Sequence, residues 1–284
     1  ILVSLTLATL KQYTRSLRSW WDFCRQHEIS PFSPDISLFL KFLFLGLLHV
    51  GFFFILKKTR SAISLISTKK IEDHTLVKRF CKGASFVKLQ RPHYDFIWDP
   101  APAISHLATI FPYDSVPLNK VTMKLILLLA LGSGQRTQTI ASIKILQIQF
   151  SQDKFFISIP DRIKTLAPGR LLSLLMFSRF SNRPSLCITL LLKHYLNITS
   201  DLRSSLCDAL LISCKKPHQP VSVQTVSHWI RQGLEFYGVQ TTLFSAYSTR
   251  HASTSLAAKN GVSIDLIKRA AGWSGDSRVF ANFY

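Results

Sequence analysis

Five side chains between position 136 and the last residue of this sequence could together carry out phosphoryl transfer. Arg136 stands in 131-LGSGQRTQTIASI-143, just after a glycine turn, and Lys164 in 160-PDRIKTLAPG-169. Arg250 stands in 247-YSTRHAS-253, Trp273 in 271-AGWSG-275 and Tyr284 in 280-FANFY-284. A phosphodiester is anionic, and its pentavalent transition state places more charge on the non-bridging oxygens. Two guanidinium groups offer planar forks of donors that match those oxygens and keep their charge at neutral pH. A phenol can attack phosphorus to give a covalent intermediate that conserves the bond for rejoining. A lysine can supply the proton that the departing 5′ oxygen needs. Singly, each residue has an ordinary reading: a capping arginine, one lysine among several basic neighbours, a core tryptophan, an aromatic anchor. Together they supply a candidate for each part that cutting DNA without a metal requires: two arginines, an acid, a tyrosine and a residue to orient them.

The whole chain is charged to suit a polyanion. Its net charge is +20, with 15 basic against 7 acidic residues before Pro100 and 20 against 8 from there on. The excess is therefore not a basic tail, and the self-repulsion it causes is relieved by an anionic partner. Double-stranded DNA is the expected one, with an anionic membrane surface as the rival. A composition of 47% hydrophobic and 18% charged residues is that of a globular protein, and 284 residues suffice for two domains. Five cysteines without a CxxC pair predict reduced thiols in an intracellular protein. The nine histidines form no HExxH and no tight cluster, so no metal site is expected. The chain begins with Ile1 instead of Met, which reads as a piece of something longer. The apolar run 36-ISLFLKFLFLGLLHVGFFFIL-56 is long enough to suggest a membrane span. Lys41 within it, and Gly46 and Gly51 dividing it, favour a buried helix pair.

The elements that must position these residues fall into two parts. An amphipathic helix is predicted over Thr6–Arg25, with Leu7, Leu10, Tyr13, Leu17, Trp20, Trp21 and Cys24 at helical spacing. Its interleaved Lys11, Arg15 and Arg18, together with Arg60 in 59-TRSAISLIS-67, are candidate DNA-backbone contacts. The stretch 30-SPFSPD-35 breaks the chain and caps the next helix. Residues 1–90 form a helical domain, 91–101 a linker and 102–284 a second domain. There, helices are expected over Pro117–Leu131 and Arg136–Lys144, then extended runs over Gln147–Phe150, Lys154–Ile159 and Leu171–Met176. Lys164 falls in the turn before the third run. Helices follow over Leu186–Tyr195, Val223–Tyr237, Ala246–Lys259 and Ser263–Ala270, with a short last one reaching Tyr284. The fold class is mainly α, with a helical domain ahead of an α+β domain that carries a small antiparallel sheet.

At these motifs the sequence resembles the tyrosine recombinases, the family of phage integrases and site-specific recombinases, and in flavour those of DIRS-type retrotransposons. GSGQR resembles the family's first arginine motif, YSTRHAS its HxxR motif, and AGWS…FY its His/Trp position followed by the nucleophilic tyrosine. The N-terminal part is similar to the helical, SAM-like core-binding domain that clamps DNA. The resemblance implies that Arg136 and Arg250 hold the scissile phosphate and that Lys164 protonates the leaving hydroxyl. It implies further that Trp273 positions phosphate and nucleophile, and that Tyr284 forms a 3′-phosphotyrosyl bond. A homotetramer on DNA during strand exchange, no metal or nucleotide cofactor and no membrane are implied as well, in the nucleus if the source is eukaryotic and otherwise in the cytoplasm. Two departures stand out. Tyr247 occupies the usual His or Lys place of the second motif and is a poor proton shuttle at neutral pH, and Thr139 stands where an acidic residue is frequent. His251 is a candidate substitute, although a helix turns it to another face than Arg250. These departures also fit a DNA-binding protein derived from a recombinase and no longer catalytic.

Overall fold

The structure, a computed structural model, describes residues 5, 7–50, 53–87, 96–159 and 173–273. The chain divides into two compact units, Ile1–Pro92 and His93–Tyr284.

The first unit holds four helices: α1 (Leu7–Gln26), α2 (Ile36–Val50), α3 (Phe53–Ile66) and α4 (Thr75–Val87). The buried face of α1 is Ser16, Trp20, Phe23 and Cys24, a spacing of four, three and one that forms one helical stripe. Trp21, expected on that stripe, is exposed and meets Phe32 edge-on at 6.0 Å. Trp20 instead anchors the unit: it packs on Phe23, Phe39 and Phe42, and its indole N–H donates to Pro31 O at 3.0 Å. Asp35 caps α2 as its sequence predicts, its Oδ1 accepting from the backbone N–H of Ser37 at 2.8 Å and of Leu38 at 3.1 Å. Gly46 does not divide the apolar run. It lies inside α2 with open space where a Cβ would be, so the helix passes through it to Val50. Among the described residues no helix is long and apolar enough to cross a membrane. Lys11, Arg15 and Arg18 are exposed on α1, and Arg60 is half-buried on α3.

The second unit is organised around one helix. After α5 (Ala101–Thr109) comes α6 (Leu118–Ser133), apolar on every side and buried from Val121 to Ala130 except for Met123. A helix without a polar face must be enclosed, and α6 is: α7 (Thr137–Ala141), α8 (Ile188–Thr199), α9 (Val223–Phe236) and α10 (Ser248–Lys259) all pack on it. The chain's last described helix, α11 (Ile264–Ala271), packs on α10. Three strands, β1 (Ile148–Phe150), β2 (Lys154–Ile159) and β3 (Ser173–Ser178), form an antiparallel sheet in that order. Phe155 lies opposite Phe177 and Ile157 opposite Leu175, so the inward residues of β2 and β3 alternate against the core. The third strand runs two residues beyond its predicted end. The last helix expected from the sequence, reaching Tyr284, lies outside the described residues.

Lys124 is fully buried in the middle of α6, where its ammonium donates to Ile110 O at 2.7 Å and Ser185 O at 2.6 Å and sits 4.8 Å from the centre of the Tyr113 ring. It thereby fastens the segment before α6 and the turn before α8 to the helix that leads into Gly134 and Arg136. Burial pulls this lysine down to about 8. At pH 7 it is charged in both folded and unfolded chains, and the folded state bears the desolvation. Between pH 8 and its unfolded value of about 10.4 the folded state releases the proton first, so stability rises with pH across that window. Lys124→Met is expected to cost about 1–3 kcal/mol at pH 7 by leaving two carbonyls unpaired. In parallel urea melts its deficit against wild type should widen from pH 8 to pH 10; a deficit independent of pH would show the lysine to be held in its ordinary range.

Candidate active site

The site is assembled where the end of α6 meets the end of α11. Gly134 terminates α6 in the left-handed region at φ 59°, and Gly272 terminates α11 in the same way at φ 65°. A helix end leaves its last carbonyls without intrahelical partners, and a left-handed cap satisfies only some of them. In α11 three consecutive carbonyls are taken by side chains instead. Gln135 Nε2 donates to Ala270 O at 2.8 Å, Arg250 Nη1 to Ala271 O at 2.6 Å, and Arg136 Nη1 to Gly272 O at 3.4 Å. Arg250 Nη1 also donates to Gly134 O at 2.8 Å, so one guanidinium nitrogen bridges the two helix ends. The carbonyl end of a helix carries negative partial charge, which suits two arginines and the Lys268 and Arg269 of its last turn.

Arg250 has no exposed surface. Its guanidinium lies 3.9 Å from the centre of the Trp273 ring, a stacked cation–π contact in a site from which water is excluded. Trp273 is held there by its backbone N–H donating to Lys268 O at 2.8 Å and by packing on Ile267 and Ala271. The helix that presents Arg250 is polar yet buried. Four hydroxyls of α10 are engaged: Trp98 Nε1 donates to Ser248 Oγ at 2.9 Å, Thr249 donates to Ala246 O, Thr254 to Arg250 O, and Ser253 to Leu131 O. His251, expected as a substitute shuttle, is buried between the rings of Tyr247 at 5.2 Å and Trp273 at 5.8 Å. Burial, and secondarily the charge of Arg250, pushes it down to about 4, so it is neutral at pH 7.

Arg136 caps α7 and borders an open cleft of about 570 Å³, whose walls are the start of α7, the first turns of α9 and the approach to α10. Tyr247 lines the same cleft. The described lining includes Arg231 and His228 and no carboxylate, which makes it a site for an anion. Among the described residues no group of three or more His, Cys, Asp or Glu could hold a metal ion.

The structure thus brings Arg136, Arg250 and Trp273 together around the end of α11 and sets Tyr247 on the cleft beside Arg136. Lys164 and Tyr284 lie outside the described residues. Lys11, Arg15, Arg18 and Arg60 belong to the first unit. Sequence reasoning missed Gln135, Trp98, His228 and Arg231. Gln135, inside the quoted GSGQR motif, was within reach; the other three carry no motif and are visible only once α9 and the residues before α5 are placed.

Gly134 is the position where this junction is most easily tested. A Cβ there would meet Ala271 Cβ at 3.1 Å and Thr254 Cγ2 at 3.2 Å, at a φ that side chains rarely adopt. Gly134→Ala is expected to destabilise the second unit by about 1–3 kcal/mol. Arg250→Lys, which keeps the charge but loses the flat fork, should cost at least as much. Thermal melts read both; losses below about 0.5 kcal/mol in both variants would show that the junction does not hold the unit together.

Comparison with known proteins gives the family and the fold. Residues 106–284, more than half of the chain, match the phage integrase family. The XerH site-specific recombinase in a pre-cleavage complex with difH superposes with a TM-score of 0.61 at 13% identity, over 96% of this chain and 74% of that one. The Tn1549 transposon integrase in complex with transposon right-end DNA gives 0.61 at 12% identity, over 97% and 94%. A lambda integrase dimer bound to a COC′ core site gives 0.58 at 14% identity, over 99% and 89%. No curated protein sequence matches the chain. At these identities the structural likenesses establish the fold, mainly helical with a small antiparallel sheet, and the family rests on the sequence match. The chain belongs to the phage integrase family, the tyrosine recombinases.

Proposed function

We propose that this protein cuts and rejoins duplex DNA for a mobile element, by way of a covalent 3′-phosphotyrosyl intermediate and without a metal. The observation that carries the reading is the gathering of two arginines, 114 positions apart, onto one helix end beside a cleft free of carboxylates among its described lining. Arg136, on the cleft, would hold the non-bridging oxygens of the scissile phosphate. Arg250, stacked on Trp273 beneath it, would complete the positive field at the same end of α11. Tyr284 would attack phosphorus; as its O–P bond forms, the bond to the 5′ oxygen breaks and Lys164 gives that oxygen its proton. Reversal on a new 5′ hydroxyl rejoins the strand. The charge that a metal would otherwise neutralise is met by guanidinium groups.

The net charge of +20 and the exposed Lys11, Arg15 and Arg18 support a duplex held largely through its phosphates, with Arg60 as a further contact in the first unit. A lambda integrase tetramer bound to a Holliday junction and a Tn1549 transposon integrase in complex with circular intermediate DNA are among the structures of similar fold. They support a tetramer on a four-way junction and service to a mobile element for this chain too.

A suicide DNA substrate, in which the released strand cannot return, should accumulate a covalent protein–DNA adduct. The adduct is expected to form in EDTA and to vanish in Tyr284→Phe; an adduct that persists in that variant assigns the nucleophile elsewhere. Duplex binding should weaken about a thousandfold or more between 50 and 200 mM salt. Salt-sensitive binding with no adduct on any substrate would mean a DNA-binding protein that has lost catalysis.

A further inference from the structure

Away from the cleft, the first unit carries an exposed aromatic pair. Trp21 is 52% exposed and Phe32 47%, and their rings meet edge-on at 6.0 Å and 78°. At that angle the ring that presents its edge has neither face covered by the other. Two large rings in water forgo the burial that usually places aromatics in a core. They are nonetheless held in position. Trp20, on the buried side of α1, donates its indole N–H to Pro31 O at 3.0 Å. Thr68 donates its backbone N–H at 2.8 Å and its hydroxyl at 3.0 Å to Phe32 O. The loop that carries Phe32 is thus tied both to α1 and to the segment after α3, and the pair is prearranged.

The surroundings are cationic. Arg18 and Arg25 lie three positions before and four after Trp21, on the same face of α1, and both are exposed. Lys69 and Lys70, also exposed, follow directly on the Thr68 that holds Phe32. Three acids of the neighbouring segments are already engaged: Asp22 with Arg25 at 3.4 Å, Asp35 with the first turn of α2, and Asp73 with Lys78 at 2.9 Å. An open aromatic face beside cations fits a nucleobase next to its own phosphate. In a duplex each base is covered by its neighbours, so a protein ring stacks only where a base is unpaired. Duplex binding through phosphates therefore gives these rings no part. A rim with two lysines also argues against a protein partner, since contact surfaces between proteins are depleted of lysine.

We infer that the Trp21–Phe32 pair and its rim of Arg18, Arg25, Lys69 and Lys70 bind single-stranded DNA. A ring stacks on an unpaired base while the cations hold the flanking phosphates. Arg18 is the one residue shared with the duplex contacts proposed above, and the site requires neither cleavage nor strand exchange.

The test is equilibrium binding of the full chain to a labelled oligothymidylate of about ten nucleotides, followed by fluorescence anisotropy. A labelled duplex, an abasic oligomer of the same charge and an oligouridylate serve as comparisons, and the variants are Trp21→Ala, Trp21→Phe and Phe32→Ala. All three change exposed side chains and should melt close to wild type. Trp21→Ala should bind oligothymidylate about fivefold or more weakly with duplex binding unchanged, and Trp21→Phe should keep most of the affinity. The abasic oligomer should bind weakly, and alike in wild type and variants. Oligothymidylate binding by Trp21→Ala equal to wild type overturns the assignment. So does an abasic oligomer that binds wild type as tightly as oligothymidylate, or a parallel loss of duplex and single-strand binding. Tighter binding of oligouridylate would reassign the site to RNA, and a changed oligomeric state of Trp21→Ala without nucleic acid would reassign it to a protein contact; either result also overturns it. These shifts in a wild type that forms no covalent adduct would remove the strand-transfer reading and leave this one standing.

Discussion

A single nitrogen, Arg250 Nη1, donates to the carbonyls of Gly134 and Ala271 and so joins the ends of two helices that lie far apart in the chain. A charge with no exposed surface is tolerated only when it is paired or hydrogen-bonded. Here the compensation is two carbonyls and the face of Trp273, and each of them also shapes the site. The carbonyls fix where α6 and α11 stop, and the ring fixes the turn after α11. Arg136 and Gln135 follow from that, because their acceptors are the carbonyls on either side of the one Arg250 holds. Without the buried guanidinium the cleft arginine would have no frame to stand on.

Much of this architecture is readable in the amino-acid order, because it rests on local signals. Asp35 ahead of an apolar run announces a capped helix, alternation over 154–159 announces a strand, and glycine after 118–133 announces a helix end. The positions of Arg136, Arg250 and Trp273 are likewise legible from motif order. What escapes is whatever depends on a partner distant in sequence. α10 begins with the polar run STRHASTS, yet Ser248, Thr249, Arg250, His251 and Thr254 are all buried, each inside a framework of acceptors or rings. Lys124 interrupts an apolar helix, and nothing local announces its acceptors, which come from residues 110 and 185. Gly46 reads as a break, but glycine ends a helix only where the backbone must turn left-handed, and inside α2 nothing demands it. Trp21 and Phe23 exchange expected roles because a periodicity count places a stripe only to within one residue.

The distribution of charge follows from the same arrangement. Among the described residues, the fully buried cations Lys124 and Arg250 donate to main-chain oxygens and face aromatic rings. Carboxylates are therefore not needed inside, and the acidic residues that form ion pairs among the described residues, Asp22, Asp73 and Asp208, do so at the surface. A cleft bordered by Arg136, His228 and Arg231 consequently keeps its full positive potential for a ligand instead of losing it to an internal counter-ion.

The junction also has a consequence for how such a protein can change over time. What the two arginines and Gln135 recognise in α11 is main chain, and main chain is the same whatever the side chains are. Most residues of α11 can be replaced without altering the groups being grasped, provided the helix forms and ends where it does. The burden of precision then falls on a handful of positions: the two guanidinium groups, the amide of Gln135, the indole, and the two glycines that let the helices stop. A junction built in this manner tolerates wholesale drift in its surroundings, which is a physical reason why a shared architecture can outlast nearly all shared sequence.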